Sequence, residues 1–138
     1  KQQLEYEKYP KELNENTQQI SLITPNTMAR RGRLDMILEL LASDPKEDEK
    51  TILEMKDKNG WQPLHEAVRG GHYKLVMFLI EKGVDVNART NRGTGGSPLW
   101  WAETKHGEDH PITVLLKKHG AISHQPQQHT KTTVQVKG

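Results

Sequence analysis

Apolar residues fall at helical spacing through the middle of this chain and scatter at both ends. Leu75, Val76, Leu79 and Ile80 lie at i, i+1, i+4 and i+5, which predicts a helix with one buried stripe. A shorter helix carrying Leu64, Ala67 and Val68 is expected before it, opened by Gln62-Pro63, where proline's missing N–H is harmless. Gly71 breaks that helix and permits an antiparallel return, and Gly83 is placed to cap the second helix. Asp57, Lys58 and Asn59 lead into Gly60, a sequence suited to a tight turn. In residues 1–23, Leu4, Tyr6, Tyr9, Leu13, Ile20 and Leu22 stand among Lys, Glu, Gln and Asn with no sustained period. Residues 122–138 are rich in Gln, His and Thr, with one short alternating piece at Thr132–Val136. The pattern predicts an ordered centre, 24–121, between a polar N-terminal arm, 1–23, and a polar C-terminal arm, 122–138.

The centre repeats itself. The unit from Asp57 to Ala88 is followed by a second, in which Asn91-Arg92-Gly93-Thr94 leads to Ser97-Pro98-Leu99-Trp100-Trp101-Ala102, then Ile112–Leu116 and Gly120-Ala121. Pro63 and Pro98 are 35 residues apart. One such unit cannot bury its own apolar faces and must stack on its copies. The run Gly60-Trp61-Gln62-Pro63-Leu64-His65-Glu66-Ala67, with Gly71-His72 and Gly83-Val84-Asp85-Val86-Asn87-Ala88, resembles an ankyrin repeat, Gln62 standing where Thr is usual. The second unit resembles a divergent C-terminal capping repeat, with Gly95-Gly96 added in its turn and Trp100 in place of the usual His. Upstream, Met28–Leu41 resembles the helix pair of a third. Matching Gly32 to Gly71 sets Ile37 on Val76 and Leu40 on Leu79, with the first helix one residue short; a charged insertion, Asp44–Lys50, follows. The resemblance implies an all-α fold: an α-solenoid of about three ankyrin-like helix-turn-helix repeats, at 24–55, 56–88 and 89–121, with short hairpin tips and polar terminal arms. Leu64, Ala67, Leu75, Val76, Leu79, Leu99, Ala102, Leu115 and Leu116 are expected in one continuous core.

Charge and composition narrow the function. Twenty Lys and Arg oppose 18 Asp and Glu, a net charge of +2, which removes the compositional argument for nucleic acid. No apolar run approaches the ~18 residues of a membrane span, so no direct membrane insertion is expected. Cysteine is absent, which excludes disulfides, thiolate metal sites and a Cys nucleophile but does not indicate a compartment. The start at Lys1 suggests a processed product, a fragment or the ordered part of a longer precursor.

No catalytic, cofactor or metal residue is assigned. None of the serines at 21, 43, 97 and 123 has a nucleophile-elbow setting. Gly93-Thr94-Gly95-Gly96-Ser97 lacks the lysine of a phosphate loop and is read as an enlarged hairpin tip. His106-Gly107-Glu108-Asp109-His110 holds two imidazoles and two carboxylates, but Gly107 and Pro111 make it a turn, so a solvated turn is preferred to a metal site. His65 and His72 are read as structural histidines bonding to backbone. Arg30, Arg31 and Arg33, which with Lys58, Arg69, Arg89 and Arg92 could line one side, are read as a solvated face balanced by acids, with an acidic protein partner as the other reading.

In the resembled repeat, hairpin tips and first helices form the concave binding face. Carried over, that face holds Trp61, Lys58, Asn59, Glu66, Arg69, Arg92, Thr94 and Trp101, with Trp100 turned inward. The expected function is a non-catalytic protein–protein interaction module, a scaffold or assembly subunit whose arms gain order along protein partners. The alternative is the ankyrin module of a multidomain enzyme. The Trp100-Trp101-Ala102 variant, with Gly95-Gly96 and the 106–111 turn, is similar to modules appended to iron- and 2-oxoglutarate-dependent oxygenases in algae, whose catalytic domain would lie outside this chain.

Overall fold

A computed structural model of the chain describes residues 9–16, 19–43 and 45–127, with residues 19–21 described by backbone alone. A two-stranded antiparallel hairpin opens it, β1 (Lys11–Asn14) and β2 (Gln19–Leu22), with Lys11 opposite Leu22 and Asn14 opposite Gln19. Three helix pairs follow: α1 (Pro25–Arg30) with α2 (Leu34–Ser43), α4 (Pro63–Gly70) with α5 (Tyr73–Glu81), and α6 (Pro98–His106) with α7 (Pro111–Lys118). A short helix, α3 (Glu49–Leu53), lies between the first two pairs. The first helices stack as an inner row, α1 on α4 and α4 on α6, and in the outer row α5 packs on α7.

The local chemistry of each repeat explains its geometry. Thr24, Gln62 and Ser97 sit at the N-caps of the inner helices, each followed by proline. Gly32 and Gly71 are both left-handed (φ 71° and 78°), so the two glycines are equivalent and α1 is one residue short between cap and glycine. Between them stands His72. A Cβ on Gly32 would lie 2.5 Å from its Nδ1, and one on Gly70 would lie 2.6 Å from its Nε2. Its ring therefore fills a slot that only glycines leave open, and Nε2 hydrogen-bonds Arg30 O at 3.0 Å across the first two repeats.

All nine apolar residues expected in the core are buried in one cluster, which also takes in Tyr9, Ile23, Ile52 and Leu53. Three differences from the sequence reading stand out. The charged insertion runs into a helix that the apolar pattern did not announce, α3, whose Ile52 and Leu53 turn into the core while Glu49 faces Lys82 Nζ at 2.9 Å. The N-terminal stretch is not without structure: Tyr9 is buried, Ile23 N–H donates to Pro10 O, and Arg31 grips Glu12 through two hydrogen bonds (3.2 and 2.7 Å). The hairpin thereby covers the open end of the first repeat, with Leu13 left exposed. Tyr6, the Ile20 side chain, Val134 and Val136 lie outside the described residues.

The third difference is at the other end, where residues 121–127 form an extended strap over the third repeat. Ser97 N–H donates to His124 O, Ser97 Oγ donates to Ile122 O and accepts from His124 N–H, and Gln127 N–H donates to Thr94 O. Arg89 Nη2 donates to Gln125 O, and Asn87 Oδ1 accepts from Ile122 N–H. Gly120-Ala121 repeats the geometry of Gly83-Val84, with both glycines left-handed and the next N–H bonded to a carbonyl of the helix behind. The strap thus stands where a following repeat would place its hairpin.

Candidate functional site

The tip of the second repeat is built by Asp57. Its Oδ1 accepts from the N–H groups of Asn59 and Trp61, while Gly60 is left-handed (φ 79°). This places Trp61 at the entrance to α4 with its backbone fixed twice, since Trp61 O also accepts from Asn26 Nδ2 on α1. In the third repeat the tip is Thr90–Gly93, where Asn91 and Arg92 are left-handed (φ 49° and 56°). Gly95 N–H donates to Thr90 O, Thr90 N–H donates to Gly96 O, and Asn91 N–H donates to Asn59 O, joining the two tips.

The two extra glycines decide the fate of both later tryptophans. A Cβ on Gly96 would lie 2.5 Å from Trp100 Cε3 and 3.0 Å from Trp101 Nε1, so both rings lean over bare backbone. Trp100 is consequently not turned inward as His65 is. It stays half-buried, while Trp101 is the ring packed against the core. The bridging work of His65 passes to Ser97. His65 accepts from Gln62 N–H at Nδ1 (2.9 Å) and bonds Ala88 O through Nε2 (2.7 Å), and Ser97 Oγ makes the corresponding link to the strap.

Four of the eight residues expected on the binding face come together. The Trp61 and Trp101 rings meet at 4.8 Å between centroids, and the Arg69 guanidinium lies over Trp61 at 5.3 Å. Glu66 lies in a cleft of about 220 Å³ lined by Arg30, Glu66, Arg69, Gly70 and Lys105. It is not a surface group as expected: it is 6% exposed and paired with Arg30 Nε at 3.5 Å. Burial pushes its carboxyl above the usual range, Arg30 pulls it back, and Asp57 adds to the rise. The other four are spread over the tips. Lys58 and Asn59 are exposed, Arg92 belongs to a different cleft with Lys56, Asp85 and Arg89, and Thr94 Oγ1 is engaged with Asn91.

Arg30 and Lys105 were absent from the expected face. Arg30 occupies the position of Arg69 in the glycine register, and Lys105 lies one turn beyond Trp101 on α6, so helical spacing could have found both. The basic cluster divides otherwise: Arg31 pairs with Glu12 and Arg33 with Asp35. At the 106–110 turn, His106 Nε2 bonds Val68 O at 2.8 Å, and His110 caps α7 through its own Nδ1. The two rings stack at 4.5 Å, and among the described residues no group of three or more His, Cys, Asp or Glu could hold a metal ion.

His65 makes stability depend on pH. Burial lowers its pKa first of all, opposed by the Ala88 bond and by Asp57 and Asp85. A protonated ring would also lose the Nδ1 acceptor for Gln62 N–H. The unfolded chain therefore takes up a proton before the folded one does. The stabilisation is full above the unfolded value of about 6.5 and is lost as pH falls through the folded one. Glu66, with its raised pKa, acts with the opposite sign above about 4.5, so its contribution grows as pH falls. Urea unfolding of Glu66→Gln from pH 8 to 5 is expected to show stability falling on the acid side. A flat profile there would remove the role given to His65.

Stacked helix pairs joined through hairpin tips define a helical repeat solenoid. The ankyrin repeats family model matches residues 26–127 in three copies, and the chain belongs to the ankyrin repeat family. Delta-latroinsectotoxin-Lt1a of Latrodectus tredecimguttatus is 39% identical over 67 residues, 49% of this chain and 5% of that protein. An ankyrin repeat-containing protein of Schizosaccharomyces pombe is 35% identical over 86 residues, 61% of this chain and 38% of its own length. Human Rabankyrin-5 is 33% identical over 106 residues, 77% of this chain and 8% of its own. The chain thus spans well under half the length of these relatives. Ankyrin repeats generally mediate protein–protein contacts, and among the described residues no helix is long and apolar enough to cross a membrane.

Proposed function

We propose that this chain is a non-catalytic protein-interaction module, acting as a scaffold or assembly subunit, and that its docking face is the inner-helix side around Trp61. The observation that carries the reading is the Trp61–Trp101 shelf with Arg69 laid across it, since aromatic residues and arginine dominate interface hot spots. The polar arms support it less than their composition suggested, because Tyr9, Glu12, Leu22 and Ile23 and residues 121–127 engage the chain's own repeats. Both rings are half-buried, Trp101 packing against the core, and the parts left exposed are open to a partner.

The test is Trp61→Ala, read in two ways. Association with a partner captured by the wild-type chain is expected to weaken by about 2 kcal/mol or more. Folding stability is expected to fall by only about 1 kcal/mol, the worth of the lost ring contacts with Trp101 and His65. Unchanged affinity with a large loss of stability would make Trp61 a packing residue and move the docking face elsewhere.

A further inference from the structure

We infer that the cleft beside Trp61 receives an acidic peptide segment: an Asp or Glu carboxylate enters between Arg69 and Lys105 while a neighbouring apolar side chain lies along the Trp61–Trp101 edge. The inference rests on the docking face proposed above and names the chemistry of its occupant.

Three cations, Arg30, Arg69 and Lys105, line this cleft around one carboxylate, Glu66. Glu66 is buried at its floor and already engaged by Arg30. Arg31, Arg33 and Lys82 each stand 2.7–2.9 Å from a carboxylate, whereas Lys56, Lys58, Lys74, Arg92, Lys117 and Lys118 have no ion pair among the described residues but lie outside this cleft. Among the described residues, Arg69 and Lys105 have neither an ion pair nor a hydrogen bond, although both are exposed. Arg69 is also restrained. Its guanidinium carbon lies over the Trp61 ring at 5.3 Å from the centroid, and a guanidinium so placed offers a two-pronged contact to a carboxylate. Gly70 adds no side chain to the wall, and the His72 ring leaves no room for one. The aromatic shelf adjoins the cleft through Arg69, so charge and apolar area are offered side by side. A nucleic acid backbone fits less well, because Glu66 and Asp57 bring negative charge into the same surface and the chain carries only +2 overall.

The test is selection of random dodecapeptides on the full chain, followed by calorimetric titration of the enriched sequences. Acidic peptides are expected to dominate. Their affinity is expected to drop at least tenfold in Arg69→Gln/Lys105→Gln, to fall as sodium chloride rises from 50 to 300 mM, and to be kept in Arg31→Gln. The same loss should follow on the wild-type chain when the peptide's own Glu residues become Gln, a readout independent of how the double variant folds. Enriched neutral or basic peptides that still need Trp61 would overturn the acidic assignment and leave the docking face standing. Absence of any peptide whose binding depends on Trp61 would overturn both. Tighter binding of a thymidine 20-mer than of any selected peptide would assign the cations to nucleic acid instead.

Discussion

Leu79→Ala is expected to cost about 2–5 kcal/mol of folding stability, the range seen when a large aliphatic side chain is removed from a core that cannot close over the gap. Leu79 is fully buried on α5, which packs on α4 behind it and on α7 beside it, so the cavity would open where two repeats meet. Its carbonyl also receives the Val84 N–H that turns the chain toward the next tip. A domain of this size holds roughly 5–15 kcal/mol in total, so the one truncation removes a large share. Urea denaturation measures it directly. The control is Val114→Ala on α7, where the side chain is 52% exposed and a change within about 0.5 kcal/mol is expected. A loss at Leu79 no larger than at Val114 would mean that the repeats do not share one core.

Replacing His65 with leucine is the second large effect, and its cause is polar. Leucine restores much of the volume of a fully buried ring but neither of its bonds. Gln62 N–H loses its acceptor and Ala88 O loses its donor, the latter 23 residues along at the end of the second repeat. Leaving buried groups unpaired costs about 1–3 kcal/mol each, so a loss of roughly 2–4 kcal/mol is expected. Amide exchange should locate it. The Gln62 N–H should exchange much faster in the variant while the amides of α7 keep their relative order. Unchanged protection at Gln62 would show that the imidazole is not its acceptor.

Side-chain periodicity made most of the fold legible. Leu75, Val76 and Leu79 announce one helix face, Gly32 and Gly71 mark equivalent left-handed corners, and the repeat made stacking obligatory. Periodicity was silent where a few residues serve a distant surface. Ile52 and Leu53 are two apolar residues in a charged stretch, too few to show a period, yet they close the core between the first two repeats. Tyr9 is one of two tyrosines in a polar stretch, and its burial depends on the hairpin folding back. The candidate face was legible in part, because repeat position alone indicated Trp61, Arg69 and Trp101. It misplaced Glu66, since the same position serves a solvated tip or the floor of a cleft depending on which cations neighbour it. Trp100 departed from the position of His65 because Gly95-Gly96 changed the backbone around it, and the sequence does not display where such an insertion sends a ring.

The strap over the third repeat carries a consequence for how its sequence can change. The donors it supplies are the main-chain N–H groups of Ile122, His124 and Gln127, and the acceptors include the carbonyls of Ile122, His124 and Gln125. Pro126 has no N–H to offer and stands where none is used. The strap's hold on the repeat therefore depends mainly on backbone, with Ser123 Oγ donating to Glu103 Oε1 and Ala121 packing on the core, so mutation can alter the side chains at 122, 124, 125 and 127 at little cost to folding. Proline is barred at 122, 124 and 127, while Ser97, Asn87 and Arg89 on the repeat itself must stay. The tail is thus free to drift in composition while the surface that receives it is constrained.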